Sequence, residues 1–177
     1  MKRFKLIALL CMLGFFFVSC EDESKNEWEN YYGFTNTDVI GTYSFSNVSD
    51  AFDGVEGTGR HACYDAEVSI QASSENPDML RFTVNCPREE YSKTIEDYAT
   101  PNEEDFMLHM TSGIIHSAGR PKAYNVTAYV LKNDKQEIRL HGYASVNEYE
   151  VHVNNETGLE SYEQVDGTFY YFDVIKD

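Results

Sequence analysis

The residues able to do chemistry are few and scattered along the chain. Histidines stand at His61, His109, His116, His141 and His152. A metal site needs three or four converging ligands, and no spacing among these histidines, the cysteines or the carboxylates points to one. His141 alternates with Ile138, Leu140 and Gly142 and so belongs to the polar face of a strand, facing solvent or a polar barrel mouth. The acidic pairs Glu148/Glu150 and Glu160/Glu163 could serve as glycosidase carboxylates or calcium ligands. Acidic residues alternating along a strand more often form a solvated face, and no EF-hand pattern accompanies them. No Gly-x-Ser-x-Gly, His-Glu-x-x-His, P-loop or dinucleotide fingerprint is present. The expectation is a non-enzymatic chain without metal or cofactor.

Cys20 is different, because its surroundings specify a reaction. Lys2, Arg3 and Lys5 form a basic head, residues 6–18 are almost wholly apolar, and Ser19-Cys20 follows. The apolar run is short for a membrane span, which needs about 20 residues, and suits the h-region of a secretory leader. No Ala-x-Ala-like cleavage site lies near it. The ending resembles the lipobox of bacterial lipoproteins. That resemblance implies that residues 1–19 are a signal peptide, that Cys20 carries the lipid, and that the lipid ties the mature chain to a membrane. Glu21-Asp22-Glu23 resembles the acidic export signal of Bacteroidetes-type lipoproteins. It implies an outer-membrane lipoprotein exposed on the cell surface, with the periplasmic face as the alternative.

The chain carries 30 Asp and Glu against 14 Lys and Arg, a net charge of −16, and the leader holds three of the basic residues. Nucleic acid is excluded as a partner, since its binding is driven by cations neutralising phosphate. The charge reads as a device for solubility on a crowded surface. After the leader, the chain is one domain long.

The elements that would position any site read as strands. Aromatic residues make up 14% of the chain, with 13 Tyr and 11 Phe against one Trp, a strand-forming composition. Residues 20–37 are an acidic tether whose aromatic second half, from Trp28 to Phe34, packs against the barrel rim as a turn or short helix. Residues 39–45 form the first strand, and the Gly- and Asp-rich residues 46–60 a loop that could lid a barrel mouth. Residues 62–72 alternate as one half-buried strand. Leu80, Phe82 and Val84 face inward on the next, with Val68 opposite Phe82. Residues 89–104 hold a short strand or a helical turn, and residues 106–115 a strand bent at Ser112-Gly113. Tyr124, Val126, Ala128 and Val130 form one face of a clean strand. Ile138, Leu140, Gly142, Ala144 and Val146 form the matching face of the next, with Val130 opposite Ile138. Residues 149–153 follow after a break, residues 154–158 turn, residues 159–165 return, and residues 167–175 are the last strand.

With Cys11 lost in the leader and Cys20 lipidated, Cys63 and Cys86 remain, and an oxidising compartment favours a disulfide between them. The hairpin register leaves them one residue out of opposition, which a bulge would correct.

About eight to ten strands with regular turn signals read as an all-β fold, an antiparallel up-and-down β-barrel or, alternatively, a two-sheet β-sandwich. Ile40-Gly41-Thr42-Tyr43 echoes Asp166-Gly167-Thr168-Phe169, as if the first and last strands closed one sheet. The opening Gly41-Thr42-Tyr43 and the closing Gly-Thr-aromatic strand resemble lipocalin-like or calycin-like lipoproteins, although Tyr43 stands where lipocalins usually have Trp. The resemblance spans residues 38–177 as a single domain, and implies an eight-stranded barrel with a ligand cavity and no catalytic residues. The functional expectation is a cell-surface protein binding a small apolar or glycan ligand, at residues the sequence does not name. The alternatives are a structural or accessory subunit of an uptake or adhesion complex, which a surface protein partner would reveal, and, third, an enzyme. The interior decides: a lined cavity with a few polar groups favours a ligand, and a fully packed interior does not.

Overall fold

Apolar residues at every second position commit most of the chain to strands, and these strands curl round one interior. The computed structural model describes residues 27–47, 52, 55–76, 78–98, 106–116 and 118–177. The leader, Cys20 and the acidic triplet lie outside the described residues, as do residues 48–51, 53 and 54 of the expected lid loop. Of the expected tether, residues 27–37 are described and lie against the sheet: Phe34 is buried, and Glu29–Asn30 pairs as a strand.

The strands are β1 (Glu29–Asn30), β2 (Gly41–Phe45), β3 (Arg60–Ala62), β4 (Glu67–Ala72), β5 (Leu80–Cys86), β6 (Tyr91–Asp97), β7 (Met107–Ile115), β8 (Lys122–Lys132), β9 (Ile138–Val153) and β10 (Glu160–Lys176). One helical turn, α1 (Asn36–Val39), precedes β2, and a 3-10 turn (Pro87–Glu89) precedes β6. Thr35 and Asp38 cap α1 reciprocally, and Lys176 Nζ donates to Asp38 O at 2.8 Å. All the strands join one sheet in the order β1-β8-β9-β10-β2-β4-β5-β6. β7 follows β1 along the same edge of β8, and β3 runs parallel to β10 beside Phe169–Tyr171, where β2 has left that edge. Every other ladder is antiparallel.

The fold is therefore all-β and antiparallel, as expected, but the sheet is not closed into a barrel. β2 and β10 do pair, Phe45 opposite Val174. The open seam falls elsewhere, between β6 and β7, which come side by side without a ladder among the described residues. The Gly113 bulge (φ 66°) throws β7 out of register, and the Asp97 carboxylate takes the Thr111 N–H at 2.9 Å where a strand would.

Both expected hairpin registers are two residues out. Val68 faces Val84 rather than Phe82, and Val130 faces Leu140 rather than Ile138. The loops are longer because their first polar residue wraps the backbone. Ser73 N donates to Met79 O, while its Oγ accepts from the Glu75 and Asn76 amides. Asn133 Oδ1 accepts from the Lys135 and Glu137 amides. The expected strand 62–72 is broken: the chain leaves β3 at Ala62, turns at Tyr64-Asp65 and enters β4 at Glu67. Tyr64, expected inside, is 54% exposed. Neither expected break near residues 147 or 166 occurs. β9 and β10 run on as a ribbon past the last contact with β8 at Glu148, with only a bulge between Gln164 and Asp166.

The core lies inside the curl. Ile70, Leu80, Phe82, Val84, Met110, Val126, Ala128, Leu140, Phe172 and Val174 are fully buried, with the Phe82 and Phe172 rings 6.0 Å apart. Tyr43 is buried among them and donates to Val39 O at 2.5 Å. Gly142 is required by close approach: a Cβ there would lie 2.6 Å from Ala128 Cα on β8.

Candidate functional site

Three neighbouring strands change character row by row along their inner face. Ala128, Gly142 and Phe172 are Cα partners across β8, β9 and β10, and so are Val126, Ala144 and Tyr170. One row further stand Tyr124, Val146 and Thr168, and beyond them Lys122, Glu148 and Asp166. On β6, across the curl, Ile95 is buried, and Lys93 and Tyr91 follow on the same face. The interior thus passes from apolar through aromatic to charged, and at that end it opens into a cavity of about 390 Å³. Its walls come from the start of β6, Lys122 and Tyr124 of β8, Val146 and Glu148 of β9, and residues 166–170 of β10.

Each polar group in the cavity has a distinct state. Lys122 Nζ lies 2.7 Å from Glu148 Oε1, and that hydrogen bond and charge hold Lys122 more basic than usual. Lys93 Nζ sits 3.7 Å above the centre of the Tyr124 ring, a cation–π contact, and has no carboxylate partner among the described residues. The Tyr91 and Tyr170 rings stack with centroids 3.8 Å apart. The Tyr91 hydroxyl is buried with no hydrogen-bond partner among the described residues. Burial, then the neighbouring Tyr170 and Tyr124 phenols, push its pKa well up, so it stays protonated.

Residues 61–65 hold the β6 wall in place. Cys63 and Cys86 are joined as a disulfide with their Cα atoms 5.4 Å apart, and Cys86 is the ladder partner of Tyr91. The bridge is reached because Cys63 lies in the turn between β3 and β4, before the β4 ladder begins at Glu67, and not by a bulge in the hairpin. His61 Nδ1 is 2.9 Å from Glu89 Oε2 and its ring stacks on Tyr170 at 5.1 Å. Arg88 N donates to Asp65 Oδ2 at 3.2 Å. Three rings, His61, Tyr170 and Tyr91, thus stack in sequence, the last two lining the cavity.

The other residues singled out in the sequence are not brought together. His141 lies on the outer face, 2.9 Å from the buried Asp173, which Arg139 and Ser46 also contact. Burial alone would raise the Asp173 pKa, but hydrogen bonds from His141, Arg139 and Ser46 and the Arg139 charge outweigh it and lower the pKa to about 2. His109 Nδ1 is 2.9 Å from Thr127 Oγ1. His152 is 3.0 Å from Glu163, and His116 3.1 Å from the Tyr162 hydroxyl, which donates to Glu160. Of the acidic pairs, Glu148 lines the cavity and Glu150 is exposed. Among the described residues no group of three metal-ligating side chains converges, and no helix is long and apolar enough to cross a membrane.

Sequence reasoning named no ligand-binding residue; of the cavity lining it singled out Glu148 as a candidate, as half of an acidic pair whose other member, Glu150, is exposed. The signal was present, since Lys122 and Glu148 fall in phase with Tyr124, Val126 and Val146, the faces already assigned inward. No protein-family model, no curated protein and no solved structure matches the chain.

Proposed function

We propose that this chain is a non-catalytic, outer-membrane lipoprotein, held at the cell surface through Cys20, that binds a small glycan ligand in the cavity at the mouth of its curled sheet. The observation that carries this reading is the set of tyrosines Tyr91, Tyr124 and Tyr170, with Lys122 and Glu148 beyond them, above a fully packed core. At about 390 Å³ the cavity is of the size that small-ligand sites take, about 300–1,000 Å³. Aromatic rings beside paired and unpaired polar groups suit a sugar better than an apolar ligand, which would leave the Lys93 and Tyr91 donors unmatched. The lipocalin-like reading accompanies it: an antiparallel cup whose first and last long strands pair, open at one seam.

The test is a thermal-shift screen of the full lipoprotein in detergent micelles against mono- and disaccharides and small apolar compounds. A stabilising sugar whose effect disappears in Tyr124→Ala is the expected result. Stabilisation by apolar compounds alone, or by nothing, overturns the glycan reading. A second reading, an accessory subunit of a surface complex, draws on the outer-face rings Tyr143, Phe169 and Tyr171, with centroids 5.5 to 6.5 Å apart, and on exposed Val153 and Leu159 of the ribbon. An empty screen would favour it.

A further inference from the structure

We propose that the mouth cavity selects an acidic sugar, a ring bearing a carboxylate and hydroxyls such as a hexuronate, with the carboxylate taken by the Lys93 ammonium and the Tyr91 hydroxyl. The inference rests on the binding reading above and specifies its ligand class.

The argument is a balance of donors and acceptors. Lys93 and Tyr91 lie two residues apart on the inner face of β6, and both line the cavity. Lys93 can only donate, and its sole described contact is the face of Tyr124. Tyr91 is 8% exposed, and its hydroxyl, held protonated, lacks a partner among the described residues. A buried hydroxyl without a partner is costly, and a ligand atom that accepts from it removes that cost. The unmet demand on the β6 side is therefore for an acceptor, and with an ammonium beside it, for an anionic one. The far wall has the opposite character. Glu148 is engaged by Lys122, and Asp166 Oδ1 accepts from the Gly167 amide, yet each carboxylate has further acceptor capacity for ligand hydroxyls. Glu90 also lines the cavity. Three carboxylates, Glu90, Glu148 and Asp166, against two ammoniums, Lys93 and Lys122, disfavour a dianion such as a phosphate ester more than a singly charged group. Tyr124 and Tyr170 also line the cavity; Tyr170 is stacked between His61 and Tyr91 and Lys93 lies over one face of Tyr124, so a sugar ring would lie against the remaining face of Tyr124.

Isothermal titration of the full lipoprotein in detergent with D-galacturonate, D-galactose, galactose 6-sulfate and galactose 6-phosphate tests this. Galacturonate is expected to bind about tenfold tighter than galactose, the worth of one charge-assisted hydrogen bond. Lys93→Met should bring galacturonate down to the affinity of galactose, and Tyr91→Phe should weaken galacturonate several-fold. Equal binding of galacturonate and galactose overturns the carboxylate inference while leaving the glycan reading standing. Tighter binding of the sulfate or phosphate overturns the choice of anion. Binding of none of the four overturns the inference, and the wider screen then judges the glycan reading separately.

Discussion

Two levels of one interior differ in how their side chains are satisfied. At the level of Phe82, Leu140 and Phe172 every inner position is apolar, and each side chain is buried against others of its kind. Four to eight residues further along, Tyr124 and Lys122 of β8, Glu148 of β9 and Tyr91 of β6 project from the same face, and the packing gives way to a cavity. Strand alternation cannot produce this difference, because both levels obey it. Residue choice within the inward set produces it. On the proposed reading, stability is concentrated at one level and recognition at the other, so that substitutions at the two should act on different observables.

The largest expected effect tests the packed level. Phe82→Ala removes a fully buried ring in contact with Phe172 and leaves a void that the sheet cannot collapse to fill. The loss should be about 3–5 kcal/mol, enough to unfold much of a marginal domain at 37 °C. Chemical denaturation of the variant checks it. A loss as small as that of an exposed substitution would show that this level is not where stability is held.

An intermediate effect concerns charge at the same level but on the outer face. Asp173 sits between Phe172 and Val174, wholly buried, and is tolerated there because Arg139, His141 and Ser46 all contact its carboxylate. Its pKa falls from the ordinary 3.8 to about 2. A group whose pKa is lower folded than unfolded stabilises the fold above the unfolded value and loses that contribution as pH falls through the folded one. The contribution should be fully present above pH 3.8 and lost between there and about 2. It is worth about 2 kcal/mol. Denaturation midpoints taken across pH 2–5, wild type against Asp173→Asn, check it. The variant should be less stable at pH 5, with a smaller loss on acidification than the wild type.

What the sequence made legible follows the same division. The inward set of almost every strand could be read from alternation, because burial of one face is a local property of period two. Register could not: a slip of two residues keeps every side chain on its face, so Val68 opposite Phe82 and Val68 opposite Val84 satisfy the pattern equally. Hydrogen bonds of Ser73 and Asn133 decided between them. The parallel pairing of β3 on β10 was illegible too, since it depends on where β2 leaves that edge, a property of the assembled sheet. The cavity went unread because Lys122 and Glu148 look like strand ends meeting water. Only the curl that brings β6 over β8 makes them walls.

The smallest effect sharpens the comparison most, because its sign is opposite at the two levels. Tyr91→Phe keeps the ring that stacks 3.8 Å from Tyr170 and removes only the hydroxyl, which is buried without a partner among the described residues. In a packed level, deleting atoms costs stability. Here the deleted group is one that water would have satisfied in the unfolded chain and nothing described satisfies in the fold, so the variant should gain about 1 kcal/mol in the absence of ligand. The same change should weaken binding of an acidic sugar, since the ligand's acceptor loses its donor. A hydroxyl that lowers stability and raises affinity is the expected signature of a position held for recognition. Paired denaturation and titration of the one variant read both quantities. If stability falls instead, the hydroxyl has a partner in the fold, and the case for an acceptor-bearing ligand loses its strongest support.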